Sequence, residues 1–95
     1  MADKVEVENV LQPGKTYRVD AAKYGAMKAA MWAALPPAAP GLDAAALKAA
    51  ILPALPEDLF PGGATAGWWI KCVQLDLEAK GLVLREGKPL RFRRA

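Results

Sequence analysis

The hydrophobic residues of KVEVENV (4–10) fall on alternate positions, with Val5 and Val7 set between charged neighbours. That period of two marks a half-buried strand. LQPGK (11–15) contains Pro-Gly, a turn signal, and TYRV (16–19) resumes the alternation, so the pattern predicts a short N-terminal β-hairpin over 4–19. From Asp20 the period lengthens. In AAKYGAMKAAMWAAL, residues Tyr24, Met27, Met31 and Leu35 recur at three- and four-residue steps with Trp32 beside them, and Asp20 stands where an N-cap belongs. This predicts a helix over 20–35. PPAAPG (36–41) ends it, because consecutive prolines remove backbone donors and disfavour helical geometry before them. Asp43 caps a second predicted helix over 43–55, with Leu47, Ile51 and Leu55 on one face and Pro53 placed to end or kink it.

PEDLFPGGATAG (56–67) is irregular. Leu59 and Phe60 are expected to plug the core, Gly62-Gly63 to turn, and Thr65 to cap a third helix over 64–80. A glycine-rich run leading into a helix offers free N–H groups to an anion, but it is also an ordinary turn. On a helical wheel Gly67, Lys71, Gln74 and Glu78 form a narrow polar strip, and Ala66, Trp69, Ile70, Val73 and Leu77 form the main apolar face. Trp68, Cys72, Leu75 and Ala79 extend the apolar surface, so Trp69 should lie deeper than Trp68 and Cys72 should be a buried thiol. Asp76 falls inside the apolar arc, where an unpaired carboxylate is costly. It is expected to be a buried peg paired with Lys80, one turn on, or with an arginine such as Arg18 or one from the final hairpin. Lys80-Gly81-Leu82 is a helix stop, after which LVLR and PLRFRR pair across EGKP. Leu82, Leu84, Leu90 and Phe92 are expected to alternate inward, with Arg85, Arg91 and Arg93 on the other phase.

Composition narrows the function classes. Ninety-five residues, 54% hydrophobic and 24% charged, are expected to form one folded domain. The chain contains neither histidine nor serine and only one cysteine. Ser-His-Asp and Cys-His machinery is therefore excluded, as is a histidine-containing zinc site. No enzyme activity, metal or cofactor is expected. The Gly14-Lys15-Thr16 tripeptide is not a phosphate loop, since Asn9 stands where the earlier glycine belongs and a strand pattern follows. The charged start, the lone cysteine and the lack of a long apolar run point to a cytoplasmic protein without a membrane segment. Net charge is +3, and residues from Lys80 onward carry six basic groups against one acidic. A basic end of this kind suits an anionic partner, and it equally suits a solvated sheet edge.

The order of helix, turn, helix, connection and helix, followed by GLVLREGKPLRFRR, resembles a winged helix-turn-helix domain. LDLEAKGLVLR is similar to the end of the recognition helix and the start of the wing in many bacterial members. More closely, PGKTYRVDAAKY, LPEDLFPGGATAGWW and VQLDLEAKG resemble an uncharacterised family of small bacterial proteins with no assigned activity. The resemblance implies an α+β fold: a three-helix bundle with a C-terminal wing over 82–94 and the short N-terminal hairpin. It places 64–80 in the recognition position. Thr65, Lys71, Gln74 and Glu78 then match base-reading positions on duplex DNA, and Arg85, Lys88, Arg91, Arg93 and Arg94 match wing contacts to phosphate or the minor groove. The competing expectation is a winged helix that binds a protein partner or a second copy of itself, with Trp68, Leu75 and the adjacent alanine surface as the contact patch.

Overall fold

The computed structural model describes residues 3–88 and 90–95. Met1, Ala2 and Pro89, the last within the EGKP turn, lie outside the described residues. The chain runs β1 (Lys4–Glu8), β2 (Thr16–Asp20), α1 (Ala21–Ala34), β3 (Leu42–Asp43), α2 (Ala44–Ile51), α3 (Ala66–Ala79), β4 (Val83–Glu86) and β5 (Arg91–Arg94), with 3-10 turns at Leu52–Ala54 and Pro61–Gly63. It is an α+β arrangement of three helices and two small antiparallel sheets.

Local chemistry explains most of the boundaries. The Asp20 carboxylate accepts the Lys23 N–H at 2.8 Å and starts α1; Asp43 does the same for Ala46 at 2.8 Å and starts α2. After Ile51 the helix tightens into a 3-10 turn that contains Pro53. Gly81, at φ +74°, ends α3: its N–H donates to the Glu78 carbonyl at 3.1 Å, and the Leu82 N–H reaches back to Leu77 at 2.9 Å. Thr65 does not act as the expected cap. It sits in the left-handed region at φ 59°, and its hydroxyl donates to the Ala64 carbonyl instead of accepting from the helix.

β1 and β2 pair with Val5 opposite Val19 and Val7 opposite Tyr17, so the expected alternation turns Val7 and Val19 onto the helices. β3 was not expected. Its two residues pair with β5, giving a sheet in the order β3-β5-β4. Gly41 permits that approach, since a Cβ there would lie 2.5 Å from the Phe92 carbonyl oxygen. The C-terminal hairpin also departs from the expected phase. Val83 and Phe92 are buried, whereas Leu82, Leu84 and Leu90 are exposed. Arg85 stands opposite Phe92 on the inner face, because Glu78 of α3 binds its guanidinium there. Met27, Met31 and Leu35 meet Leu47, Ile51, Val73 and Leu77 in one core, with Phe60 plugging it as expected and Trp69 edge-on to Phe60 at 6.4 Å. No helix among the described residues is long and apolar enough to cross a membrane.

Candidate interaction face of helix α3

Helix α3 packs mainly against α1, β1 and β4, so its side chains divide into a buried set and one outer strip. The buried set includes a polar network. Asp76 is fully buried, and its Oδ1 accepts the Glu8 backbone N–H at 2.9 Å. The Tyr24 hydroxyl donates to Oδ2, and the Lys80 ammonium spans both oxygens at 2.5 and 2.7 Å. One carboxylate thus joins β1, α1 and α3. Beside it the Tyr17 hydroxyl donates to the Cys72 sulfur at 3.5 Å. Burial pushes the Tyr17 hydroxyl up to about 12, with Cys72 and then Asp76 adding to the shift. Tyr24 is raised further, first by burial and then by its bond to Asp76. Burial likewise raises the Cys72 thiol above its ordinary range; the Tyr17 bond opposes the shift and the Asp76 charge reinforces it.

The outer strip is different. Trp68 is 55% exposed while Trp69, edge-on to it at 5.1 Å, is 7% exposed. Two grooves flank the strip. One, of about 380 Å³, runs between α2, α3 and the C-terminal hairpin over Ile70 and Phe92, with Lys48, Lys71 and Arg85 among its lining residues. The other, about 250 Å³, lies between α3 and the N-terminal hairpin and is lined by Asn9, Tyr17, Trp68, Lys71 and Leu75 among others. Leu11 at the tip of the N-terminal hairpin (59% exposed) and Leu90 in the C-terminal one (48% exposed) both line the larger groove.

A family model described as a family of unknown function, DUF6958, matches residues 4–92. The chain belongs to this family. No curated protein and no solved structure matches the chain. The DUF6958 match takes in the whole Asp76 network and every residue lining the two grooves.

Within this DUF6958 chain the residues assigned from sequence to a nucleic-acid contact do not all lie together. Lys71, Gln74 and Arg85 line the larger groove together. Thr65 and Lys88 are exposed at the start of α3 and in the C-terminal hairpin turn. Gln74 and Arg85, with Arg91, Arg93 and Arg94 of the C-terminal hairpin, already have protein partners. Gln74 is 9% exposed, and its amide donates to Glu78 at 3.4 Å. Glu78 also takes Arg85 through Nε and, at 3.0 Å, through Nη2, which holds the guanidinium above its ordinary range. Arg93 pairs with Glu86 at 2.8 Å, and Arg94 donates to the Trp32 carbonyl at 2.6 and 3.0 Å while stacking over that indole at 4.9 Å. Arg91 reaches the Gly41 carbonyl at 3.3 Å.

For the protein-contact patch, Trp68 is exposed as required but Leu75 is 5% exposed and belongs to the interior. The glycine-rich run at 62–63 has its own acceptors: Gly62 N–H donates to Glu57 at 2.9 Å and Gly63 N–H to the Phe60 carbonyl at 2.9 Å. Sequence reasoning did not single out Lys48 or Leu11. Lys48 lies on the wet side of an alanine-rich helix, and only the packing of α2 beside α3 brings its ammonium within 3.9 Å of where a Cβ on Gly67 would sit. Leu11 offers a weak signal, an apolar residue just before a Pro-Gly turn.

Proposed function

We propose that this chain is a non-catalytic protein-interaction module of winged-helix type, with the outer face of α3 as its docking surface and Trp68 as the anchor. The exposed Trp68 carries the reading: a large aromatic, backed by a buried one and set between two grooves, has the form of an interface anchor. The winged-helix assignment draws support from the C-terminal hairpin, which β3 ties to the start of α2 and Arg85–Glu78 ties to α3, so that it stands beside the outer face of α3 as a wing. The duplex-DNA reading asks Gln74 to read bases and the wing arginines to meet phosphate. Those groups have protein partners here, and Lys71 is the one cation on the outer strip of α3.

A titration and a capture experiment on the same preparation separate the readings. The expected result is no salt-sensitive binding to random duplex DNA at low ionic strength, with wild-type protein retaining a partner from a cell extract that Trp68→Ala does not. Salt-dependent DNA binding that weakens when two wing arginines are neutralised, with Trp68→Ala unaffected, would replace this reading by the DNA one.

A further inference from the structure

We infer that the larger groove takes an acidic segment of a partner protein, one in which a large apolar side chain is flanked by carboxylates; this rests on the interaction-module reading above. The floor of the groove is Ile70 and Phe92, with Leu11 and Leu90 as exposed apolar walls. Its volume of about 380 Å³ falls at the lower end of the roughly 300–1,000 Å³ common for ligand sites, enough for one large side chain and its immediate backbone. Three of its lining residues are cationic, Lys48, Lys71 and Arg85, and no lining residue among those described is acidic. Arg85 is bound to the carboxylate of Glu78, so the charge left to meet a ligand is that of the two lysines.

Both lysines are exposed, and Gly67 between them leaves the helix surface bare for the Lys48 chain to lie across. Their long stems can follow the partner's backbone while the ammonium groups meet its carboxylates. The same charge argues against a second copy of this chain as the occupant. A two-fold contact through this face would set Lys48 and Lys71 of one copy against the same pair on the other, with no carboxylate to separate them. A neutral apolar segment would use the apolar floor but gain nothing from the two ammonium groups, which would be left to water at the rim.

The test uses the intact protein and a capped peptide, acetyl-Gly-Glu-Asp-Phe-Glu-Asp-Gly-amide, with its Gln/Asn counterpart as control. Amide chemical shifts of the labelled protein report where each peptide binds. The acidic peptide is expected to move the amides of Gly67, Lys71 and Phe92. Its affinity should drop about tenfold for the neutral peptide, for the Lys48→Gln/Lys71→Gln double variant, and on raising salt from about 50 to about 500 mM, as paired charges at a groove rim require. Equal binding of the two peptides at these amides would overturn the acidic partner and leave the interaction module standing. If neither peptide moves these amides at millimolar concentration, the acidic partner is overturned, and if random duplex DNA moves them instead, the interaction module falls with it. The double variant changes two solvent-exposed side chains, so its fold is checked by its amide spectrum in the same experiment.

Discussion

Asp76 is the residue on which three elements depend, and its removal should show this. Truncation leaves the Glu8 N–H and the Tyr24 hydroxyl without an acceptor inside the protein, while Lys80, being partly exposed, can turn to water. Two donors in part-buried bonds lose their partner and one ion pair is broken, so Asp76→Ala should cost about 2 kcal/mol. Asp76→Asn keeps an acceptor oxygen for part of the network and should cost less. Urea midpoints of the two variants check the order. Equal midpoints for Asp76→Ala and wild type would mean that Glu8 and Tyr24 find other partners. The position of Asp76 within an apolar arc was legible in the sequence, and so was Lys80 one turn later. Tyr24 and the Glu8 backbone were not, because nothing in a linear pattern says which neighbour a buried carboxylate will meet across 52 or 68 residues.

At the scale of elements, helices were the easiest part to read. Asp20, Asp43 and Gly81 act through a few adjacent backbone groups, so their signals are local and survive folding unchanged. Sheets depend on partners distant in sequence, and the unexpected β3 and the reversed hairpin phase fall there; at the helices the misread cap is Thr65, whose φ of 59° turns its hydroxyl to Ala64. The two residues of β3 are too few to show a period. In the C-terminal hairpin the alternating leucines suggested an inward face, yet Glu78, nearly buried on α3, draws Arg85 inward and fixes the opposite phase. Gln74, read as an exposed group, is covered, and its amide faces the same carboxylate. Gly41 tests the β3–β5 contact directly. An alanine there combines a positive φ of +79° with a methyl group 2.5 Å from the Phe92 carbonyl, a backbone atom that cannot swing away. Gly41→Ala should therefore destabilise the fold by roughly 2 kcal/mol or more, whereas Gly81→Ala, at φ +74° with open space around it, should cost only about 1 kcal/mol of left-handed strain. Similar losses for the two variants in thermal or denaturant unfolding would show that β5 does not press on Gly41.

For the molecule as a whole, the seam between the N-terminal hairpin and the helices should set a stability limit at alkaline pH. Tyr17, Tyr24 and Cys72 are all protonated acids whose loss of a proton is opposed in the folded state, first by burial and then by the Asp76 charge or the bonds around it. A folded-state value raised above the unfolded one means that the contribution is fully present below the unfolded value. It is lost as pH rises through the folded value. For Tyr17 that window runs from the ordinary 10.0 to about 12, and for Cys72 it opens near the ordinary 9.0. The tyrosines and the thiol join β2, α1 and α3, so the loss falls on the docking of the N-terminal hairpin and not on the side of α2 and the C-terminal hairpin. The urea midpoint should stay level up to about pH 9 and then fall steadily toward pH 12. Tyr17→Phe removes one of the titrating groups together with its bond to Cys72. That variant should start from a slightly lower midpoint at pH 8 and lose less between pH 10 and 12, so the two curves converge. Parallel curves across that window would show that Tyr17 ionises freely at the hairpin surface and that alkaline unfolding begins elsewhere.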